Sequence, residues 1–237
     1  MTLAYLSNIE LYYSPPESFA EKIITVTGDE FTHLTRVMRH KIDEEIFITN
    51  GCGKIFTCKI SSIEKTFLNA EILSDESYQN KLKNIFFCIP KLKSPERFEF
   101  ALEKCVELGI TNFIIFESMR TVAKSNKVER WEKIILAAMK QSLRSYLPKI
   151  ILVTDFKNIL ELDGVKILFE QNAEKKLSGL KLTDDTSYYF IFGPEGGLDK
   201  KEIESAGAEN LFQLTENRLR SETAVVFAAT QIFATLS

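Results

Sequence analysis

The chain has 237 residues, of which 45% are hydrophobic and 27% charged, a composition typical of a globular protein with one large or two small domains. The net charge of −3 argues neither for nor against nucleic acid, but residues 76–150 carry 14 basic and 8 acidic side chains. This basic third fits a phosphate-binding surface or a set of solvated helix faces. No apolar run reaches the roughly 18 residues that span a bilayer, and the start lacks the basic residues of a signal peptide, so we expect a cytoplasmic protein.

The sequence has four cysteines without CxxC spacing and only two histidines. These residues are Cys52, Cys58, Cys88, Cys105, His33 and His40. Zinc sites usually combine four such ligands at short spacings, so the sequence predicts no metal site. Cysteines scattered without a disulfide framework are typical of a reducing compartment.

The first 75 residues predict a small β-rich domain. Four segments rich in β-branched or aromatic residues are Lys22–Val26, Glu45–Thr49, Lys54–Ile60 and Phe67–Leu73. An Asn-Gly pair between the second and third segments is a hairpin signal. Apolar residues of Asp29–His40 recur at helical spacing, which predicts one short helix. Several short strands and one helix favour a compact β-barrel.

The polar segment Ser74–Lys83 is the best candidate for a domain boundary, which predicts domains at 1–74 and 75–237. In the second domain strands alternate with helices, which predicts an α/β fold with a mostly parallel sheet and helices on both faces. The predicted strands are Asn84–Ile89, Asn112–Phe116, Ile150–Val153, Val165–Phe169, Ser187–Phe192 and Leu211–Leu214. The predicted helices are Ser94–Leu108, Lys127–Tyr146 and Ser221–Leu236.

One predicted strand ends in an unusual loop. Ser187–Phe192 stops at Gly193–Gly197 (GPEGG), and a charged, helix-like segment follows. In open α/β sheets ligands bind beyond the carboxyl ends of strands, and glycines let the backbone approach a ligand closely. The loop matches neither GxxxxGK[ST] nor GxGxxG, so it predicts no triphosphate or dinucleotide site. A tight strand-to-helix connector is the alternative interpretation.

A second strand end carries a notable arginine. Leu211–Leu214 is followed by Leu219–Ala224 (LRSETA), which opens a nearly apolar helix that must be buried. A serine N-cap and a first-turn glutamate suit the start of that helix. Arg220 is therefore expected at the mouth of a buried helix, either as a functional cation or in a salt bridge to Glu195 or Glu222.

These motifs together resemble the RsmE family of ribosomal RNA uridine-N3 methyltransferases, which belong to the SPOUT class. The matching pieces are, in chain order, His33–Ile60, Glu103–Ile110, Gln141–Arg144 (QSLR), Gly193–Gly197 and Leu219–Ala224. The first piece is similar to the PUA-like RNA-binding barrel of that family. Because the resemblance spans nearly the whole chain in order, it is far more specific than GPEGG alone.

The resemblance implies a C-terminal trefoil knot, a rare feature because chains seldom thread loops, and S-adenosylmethionine held by three loops of the knot. It also implies a homodimer, since SPOUT relatives pair through the knot region. The glycines would then allow close backbone approach to the cofactor. The implied cofactor-binding residues are Leu168, Phe169, Glu170, Gly193, Pro194, Glu195, Gly196, Gly197, Leu214, Thr215, Asn217 and Leu219.

The chain departs from the family's pattern at three positions. Leu143 in QSLR stands where the family usually has a small residue, often glycine. Thr215 stands near a family glycine and Asn217 at a family arginine, with Arg218 next to it. These differences concern the cofactor and RNA contacts of the third loop and leave the class unchanged.

The implied reaction methylates N3 of a uridine in small-subunit (16S) ribosomal RNA. N3 carries an imide proton, so a base or an anion-stabilising cation is needed, and the candidates are Arg220, Glu195 and Arg144. Because N3 lies on the Watson–Crick edge, the target base must be unpaired or flipped out. The expected RNA-binding residues are Arg36, Arg39, Lys91, Lys93, Arg120, Lys124, Gln141 and Arg144.

Three other functions stay open at this point. A SPOUT-class methyltransferase with the same fold and cofactor could act on a transfer RNA base or on a ribose 2′-hydroxyl. A non-catalytic RNA-binding protein would have no affinity for the cofactor. A nucleotide-dependent α/β enzyme would need a phosphate-binding motif, which the chain lacks.

Overall fold

The computed structural model describes residues 9–122 and 127–236 and divides them into two compact units. The first unit joins the described residues up to Asn80 with Met139–Leu147, and the second joins Lys81–Ala138 with the described residues from Pro148 onward. The sequence predicted a boundary after residue 74, whereas the last strand of the first unit continues to Ser77. The predicted RNA-binding residue Lys124 lies outside the described residues.

A six-stranded sheet forms the first unit. Its strands are β1 (Leu11–Tyr13), β2 (Phe19–Ala20), β3 (Ile23–Thr27), β4 (Glu45–Thr49), β5 (Lys54–Ile63) and β6 (Phe67–Ser77). They are ordered β1-β4-β5-β6-β3-β2, with β1 and β4 parallel and the other neighbours antiparallel. All four predicted strands occur, and side chains such as Ile24, Ile48, Ile60 and Leu68 share one core. Among the described residues, β1 and β2 are the outermost strands of this order.

The predicted helix Asp29–His40 is irregular. Helix α1 (Gly28–Thr32) continues into a single π-helical turn over His33–Val37. The next two residues, Met38 and Arg39, are exposed to solvent. Arg39 also adopts a left-handed backbone with φ of +59°. π-Helical turns often occur at functional sites.

A seven-stranded sheet forms the second unit. Its strands are β7 (Ile85–Pro90), β8 (Asn112–Phe116), β9 (Lys149–Val153), β10 (Val165–Phe169), β11 (Lys175–Lys176), β12 (Tyr188–Ile191) and β13 (Leu211–Gln213). The helices are α2 (Pro95–Glu107), α3 (Val128–Gln141), α4 (Phe156–Leu160), α5 (Lys200–Ala206) and α6 (Ser221–Leu236). The strand order is β11-β13-β10-β12-β7-β8-β9, and every neighbouring pair is parallel. The predicted parallel α/β fold is confirmed.

Alternating strand residues build two different layers. Ile114, Leu168 and Ile191 belong to a buried cluster that includes residues of α4 and α5. Helix α2 packs against α6, and its Phe98 ring lies 4.8 Å from the ring of Trp131 in α3. Because all seven strands are parallel, the loops after β7, β8, β10, β12 and β13 share one edge of the sheet.

Helix α3 ends before its predicted end at Tyr146. Leu143 adopts a left-handed backbone with φ of +55°, which stops the helix. The chain then pairs with the first unit: the Leu147 amide donates to Gly51 O at 2.9 Å, and the Tyr146 hydroxyl to Tyr78 O at 2.8 Å. A leucine gives no sequence signal for this conformation, so the sequence predicted a longer helix.

No helix within 9–122 and 127–236 is long and apolar enough to cross a membrane. Within those same ranges, no group of three or more His, Cys, Asp or Glu side chains could hold a metal ion. The trefoil knot stays a prediction.

Candidate functional site

A cavity of about 480 Å³ opens at the carboxyl ends of β10, β12 and β13. This volume lies within the range of sites for small molecules and cofactors. The cavity is lined by Arg97, Phe169, Glu170, Gln171, Phe192, Gly193, Pro194, Glu195, Gly197, Leu214, Thr215, Asn217, Arg218, Leu219, Arg220, Ser221 and Ala224. Three strand ends, the start of α2 and the start of α6 therefore converge on one space.

The glycine loop, Gly193–Gly197, turns tightly after β12. The Gly197 amide donates to Pro194 O at 2.9 Å, and Gly197 has φ of +71°, a conformation that favours glycine. A Cβ atom at Gly193 would lie 3.2 Å from the Leu198 nitrogen, closer than most side chains tolerate. The fold of the loop thus favours glycine at two of its three glycine positions.

Side chains and backbone from neighbouring segments hold this loop. The Lys93 amide donates to Glu195 Oε1 at 2.9 Å, and the Ser221 hydroxyl donates to Gly193 O at 2.6 Å. Glu195 is exposed and lines the cavity, so it combines a structural hydrogen bond with access to a ligand.

The loop after β13 is tied to the loop after β10. The Gln171 side-chain amide donates to Thr215 O at 3.1 Å and to Glu216 O at 2.9 Å. The Thr215 hydroxyl donates to Asn217 O. Thr215 has no positive φ, so a threonine fits where the family has a glycine nearby.

Three arginines line the cavity: Arg97, Arg218 and Arg220. Arg97 pairs with Glu222, with 3.5 Å between Nε and Oε1. The Arg220 side chain is exposed and makes no hydrogen bond or ion pair with the residues that the structure describes. The sequence left open a salt bridge from Arg220 to Glu195 or Glu222. The described residues contain no such salt bridge.

Most residues predicted to bind the cofactor line this cavity, with two exceptions. Leu168, in β10, is fully buried in the core, and the Gly196 carbonyl oxygen accepts from Arg120. Lining residues that the sequence analysis did not assign are Arg97, Gln171, Phe192, Arg218, Ser221 and Ala224. Arg97 could have been found, since it follows the N-cap of the helix after β7, whose strand end shares this sheet edge.

The residues predicted to bind RNA differ in their availability. Lys91 is 6% exposed and paired with Glu117, so its prediction as a phosphate contact does not fit its burial. Arg120 is bound to the glycine loop and Asp199. Exposed side chains occur at Arg36, Arg39, Lys93 and Gln141.

Arg144, a predicted catalytic residue, belongs to the first unit, with the rest of QSLR. Burial lowers the pKa of its guanidinium, although an arginine stays protonated at neutral pH. The assignment of Arg144 to catalysis stays a prediction.

Comparisons with known proteins match both units. The RNA methyltransferase domain model matches residues 79–233, and the RNA methyltransferase PUA domain model matches residues 26–73. Ribosomal RNA small subunit methyltransferase E from Mesomycoplasma hyopneumoniae is 33% identical over 172 residues, 68% of this chain and 75% of that protein. The Bacillus subtilis protein of the same name is 27% identical over 226 residues, 88% of each chain.

A solved structure agrees over almost the full length. Ribosomal RNA small subunit methyltransferase E from Neisseria gonorrhoeae, bound to S-adenosyl methionine, superposes with a TM-score of 0.85 at 26% identity. The match covers 96% of this chain and 98% of the other. Both units, the order of their motifs and this structural match lead to one conclusion: the chain belongs to the RsmE family of RNA methyltransferases, with an N-terminal PUA domain followed by the RNA methyltransferase domain.

Proposed function

We propose that the chain is an S-adenosylmethionine-dependent methyltransferase that methylates N3 of a uridine in small-subunit (16S) ribosomal RNA. The observation that carries this proposal is the cavity at the ends of β10, β12 and β13, where the glycine loop meets Arg220. The names of the family relatives and the cofactor of the Neisseria structure support it.

The lining residues fit S-adenosylmethionine. Phe169 and Phe192, whose rings lie 5.0 Å apart, offer an apolar wall to an adenine ring. The exposed backbone of the glycine loop offers hydrogen-bonding groups without side chains, and Glu170 offers a carboxylate to ribose hydroxyls. When bound, the cofactor supplies an electrophilic methyl group.

The protein's own contribution is to align the uracil and manage the N3 proton. Arg220 is positioned to stabilise the imide anion, because its guanidinium is exposed at the cavity and unpaired among the described residues. Glu195 Oε1 is used by the Lys93 amide, which leaves Oε2 to accept the proton. Alignment of the methyl donor and N3 supplies most of the remaining acceleration.

Nucleoside analysis tests this function. The purified protein, S-adenosylmethionine and small-subunit ribosomal RNA, naked or assembled in subunits, should yield 3-methyluridine by mass spectrometry. A methylated ribose or a methylated transfer RNA base would assign the same fold to another acceptor. A protein that binds RNA but neither binds nor consumes the cofactor would be a non-catalytic RNA-binding protein.

We also infer a homodimer. Helix α6 is apolar over nearly its whole length, and its Phe233 side chain is 38% exposed, so a second copy is a suitable cover for this helix. A cytoplasmic location follows from a ribosomal RNA substrate and agrees with four free cysteines.

A further inference from the structure

The loop after β8 is joined to the glycine loop by one side chain, Arg120. Its Nη1 donates to Gly196 O at 2.9 Å, and its Nη2 lies 3.3 Å from Asp199 Oδ2. Asp199 is the N-cap of α5, the helix that follows the glycine loop. One guanidinium therefore contacts both the glycine loop and the N-cap of the helix that follows it.

A second side chain, Glu202, joins the loop after β8 to the start of α5. It is 5% exposed, and its Oε1 accepts the Met119 amide at 2.9 Å. Its Oε2 accepts the Asp199 amide at 2.8 Å and completes a capping box at the start of α5. Both carboxylate oxygens are thus used to hold two backbone segments together.

None of the residues that make these bonds lines the cavity. Gly196 is outside the cavity lining, whereas Gly193, Glu195 and Gly197 line it. We propose that Arg120 and Glu202 are positioning residues: they hold the glycine loop in the shape that binds the cofactor, and neither touches the cofactor. This inference rests on the proposed function, since it names what orders the cofactor loop.

The geometry separates this role from the phosphate contact that the sequence predicted for Arg120. A phosphate contact requires only a positive charge, whereas the two acceptors of Arg120 require the planar fork of a guanidinium. Arg120→Lys keeps the charge and loses the fork, and Arg120→Ala loses both. The pKa of the Asp199 carboxyl is lowered, chiefly by the Lys201 amide and further by Arg120, in line with this contact.

The first measurement is the dissociation constant for S-adenosylmethionine, by calorimetry without RNA. We expect Arg120→Ala and Arg120→Lys to raise it by about tenfold each, the loss of one charge-assisted hydrogen bond. RNA affinity should be kept in Arg120→Lys. The control is Lys200→Ala, which removes an exposed side chain of α5 and should leave the dissociation constant unchanged. Wild-type affinity in either Arg120 variant overturns the proposal, and so does full rescue by lysine.

A second measurement does not need the cofactor. Amide hydrogen exchange of a peptide covering Gly193–Asp199 should be faster in both Arg120 variants and in Glu202→Gln, whose amide nitrogen cannot accept a backbone N–H. Unchanged exchange in the Arg120 variants overturns the inference. If the wild-type protein bound no cofactor, the proposed function would fail, yet the exchange rates would still decide whether these residues order the loop.

Discussion

At the scale of single residues, Arg220 and Arg97 line the same cavity but differ in their ion pairing. Arg97 is held by Glu222, whereas the Arg220 guanidinium makes no such bond among the described residues. A cation held by a salt bridge mainly orders its helix, while an unpaired one at a cavity can meet a developing negative charge. The sequence placed Arg220 correctly at the mouth of α6 but could not decide between these roles.

We expect Arg220→Ala to lower the single-turnover rate on the order of 100–1000-fold at saturating cofactor and RNA. The melting temperature should be unchanged, because the side chain has no bond to lose in the described structure. Arg220→Lys should not restore the rate, since an ammonium lacks the planar fork. Arg218→Ala removes the same charge from the same cavity and serves as the control, with a fall of about tenfold at most. A lower melting temperature with normal turnover would contradict the catalytic role.

Leu143 adopts a backbone conformation that its residue type does not predict. The left-handed region costs a side-chain-bearing residue roughly 1–2 kcal/mol, yet φ at Leu143 is +55°. Leu143 also packs near Leu11 and Ile55, which offsets part of that cost. Glycine adopts a left-handed backbone without this cost, which is a physical reason for the small residue, often glycine, that the family has at this position.

Two variants isolate the backbone strain at Leu143, because both lose the same packing. We expect Leu143→Gly to be more stable than Leu143→Ala by about 1 kcal/mol in chemical denaturation. At Lys133, an exposed position inside α3, the order should reverse, with alanine about 1 kcal/mol better than glycine. The same order at both positions would contradict the strain.

At the scale of elements, the glycine loop contains glycines with different requirements. Gly197 has φ of +71°, whereas a Cβ atom at Gly196 would meet only the Arg120 side chain, at an ordinary 3.8 Å. We therefore expect Gly197→Ala to weaken cofactor binding and cost about 1 kcal/mol of stability. Gly196→Ala should change both little. Calorimetry and thermal melting of the two variants test this prediction. Equal losses of cofactor affinity and stability in both variants would contradict it. The sequence does not distinguish these glycines, because the φ angles cannot be read from GPEGG.

The loop after α1 offers a second test at this scale. Arg36 and Arg39 are exposed around the π-helical turn of the first unit. If both contact phosphates, replacing each by glutamine should reduce the log–log salt slope of RNA binding by roughly 0.7–0.9. Lys65→Gln, an exposed lysine in the turn between β5 and β6, should leave the slope unchanged. An unaltered slope in Arg36→Gln and Arg39→Gln would remove this loop from the RNA surface.

At the scale of the whole molecule, long periodic elements were predictable and local exceptions were not. The alternation of strands and helices after residue 83 gave the parallel sheet, because apolar periodicity reports burial directly. Strands β2 and β11, two residues each, carry too little pattern to detect. The assignment of Met139–Leu147 to the first unit depends on hydrogen bonds distant in sequence, and the burial of Lys91 depends on its pairing with Glu117.

We expect two copies of the chain to pair through α6. Light scattering at micromolar concentration should give about 54 kDa, twice the 27.1 kDa of one chain. Phe233 is 38% exposed on this nearly apolar helix. Phe233→Glu places a charge on that helix and should shift the mass towards the monomer, because an unpaired charge is costly to bury.

Leu73→Glu, on β6 of the first unit, replaces a comparably exposed apolar side chain and should leave the dimer intact. The two variants also test whether pairing matters for the site. Glu222 lies in the first turn of α6, directly after Ser221, which lines the cavity and holds the glycine loop. A second copy packed on α6 would therefore order this helix at the cavity, so a monomeric Phe233→Glu protein should bind the cofactor more weakly. A monomeric wild-type chain, or a monomeric variant with full cofactor affinity, would contradict this link.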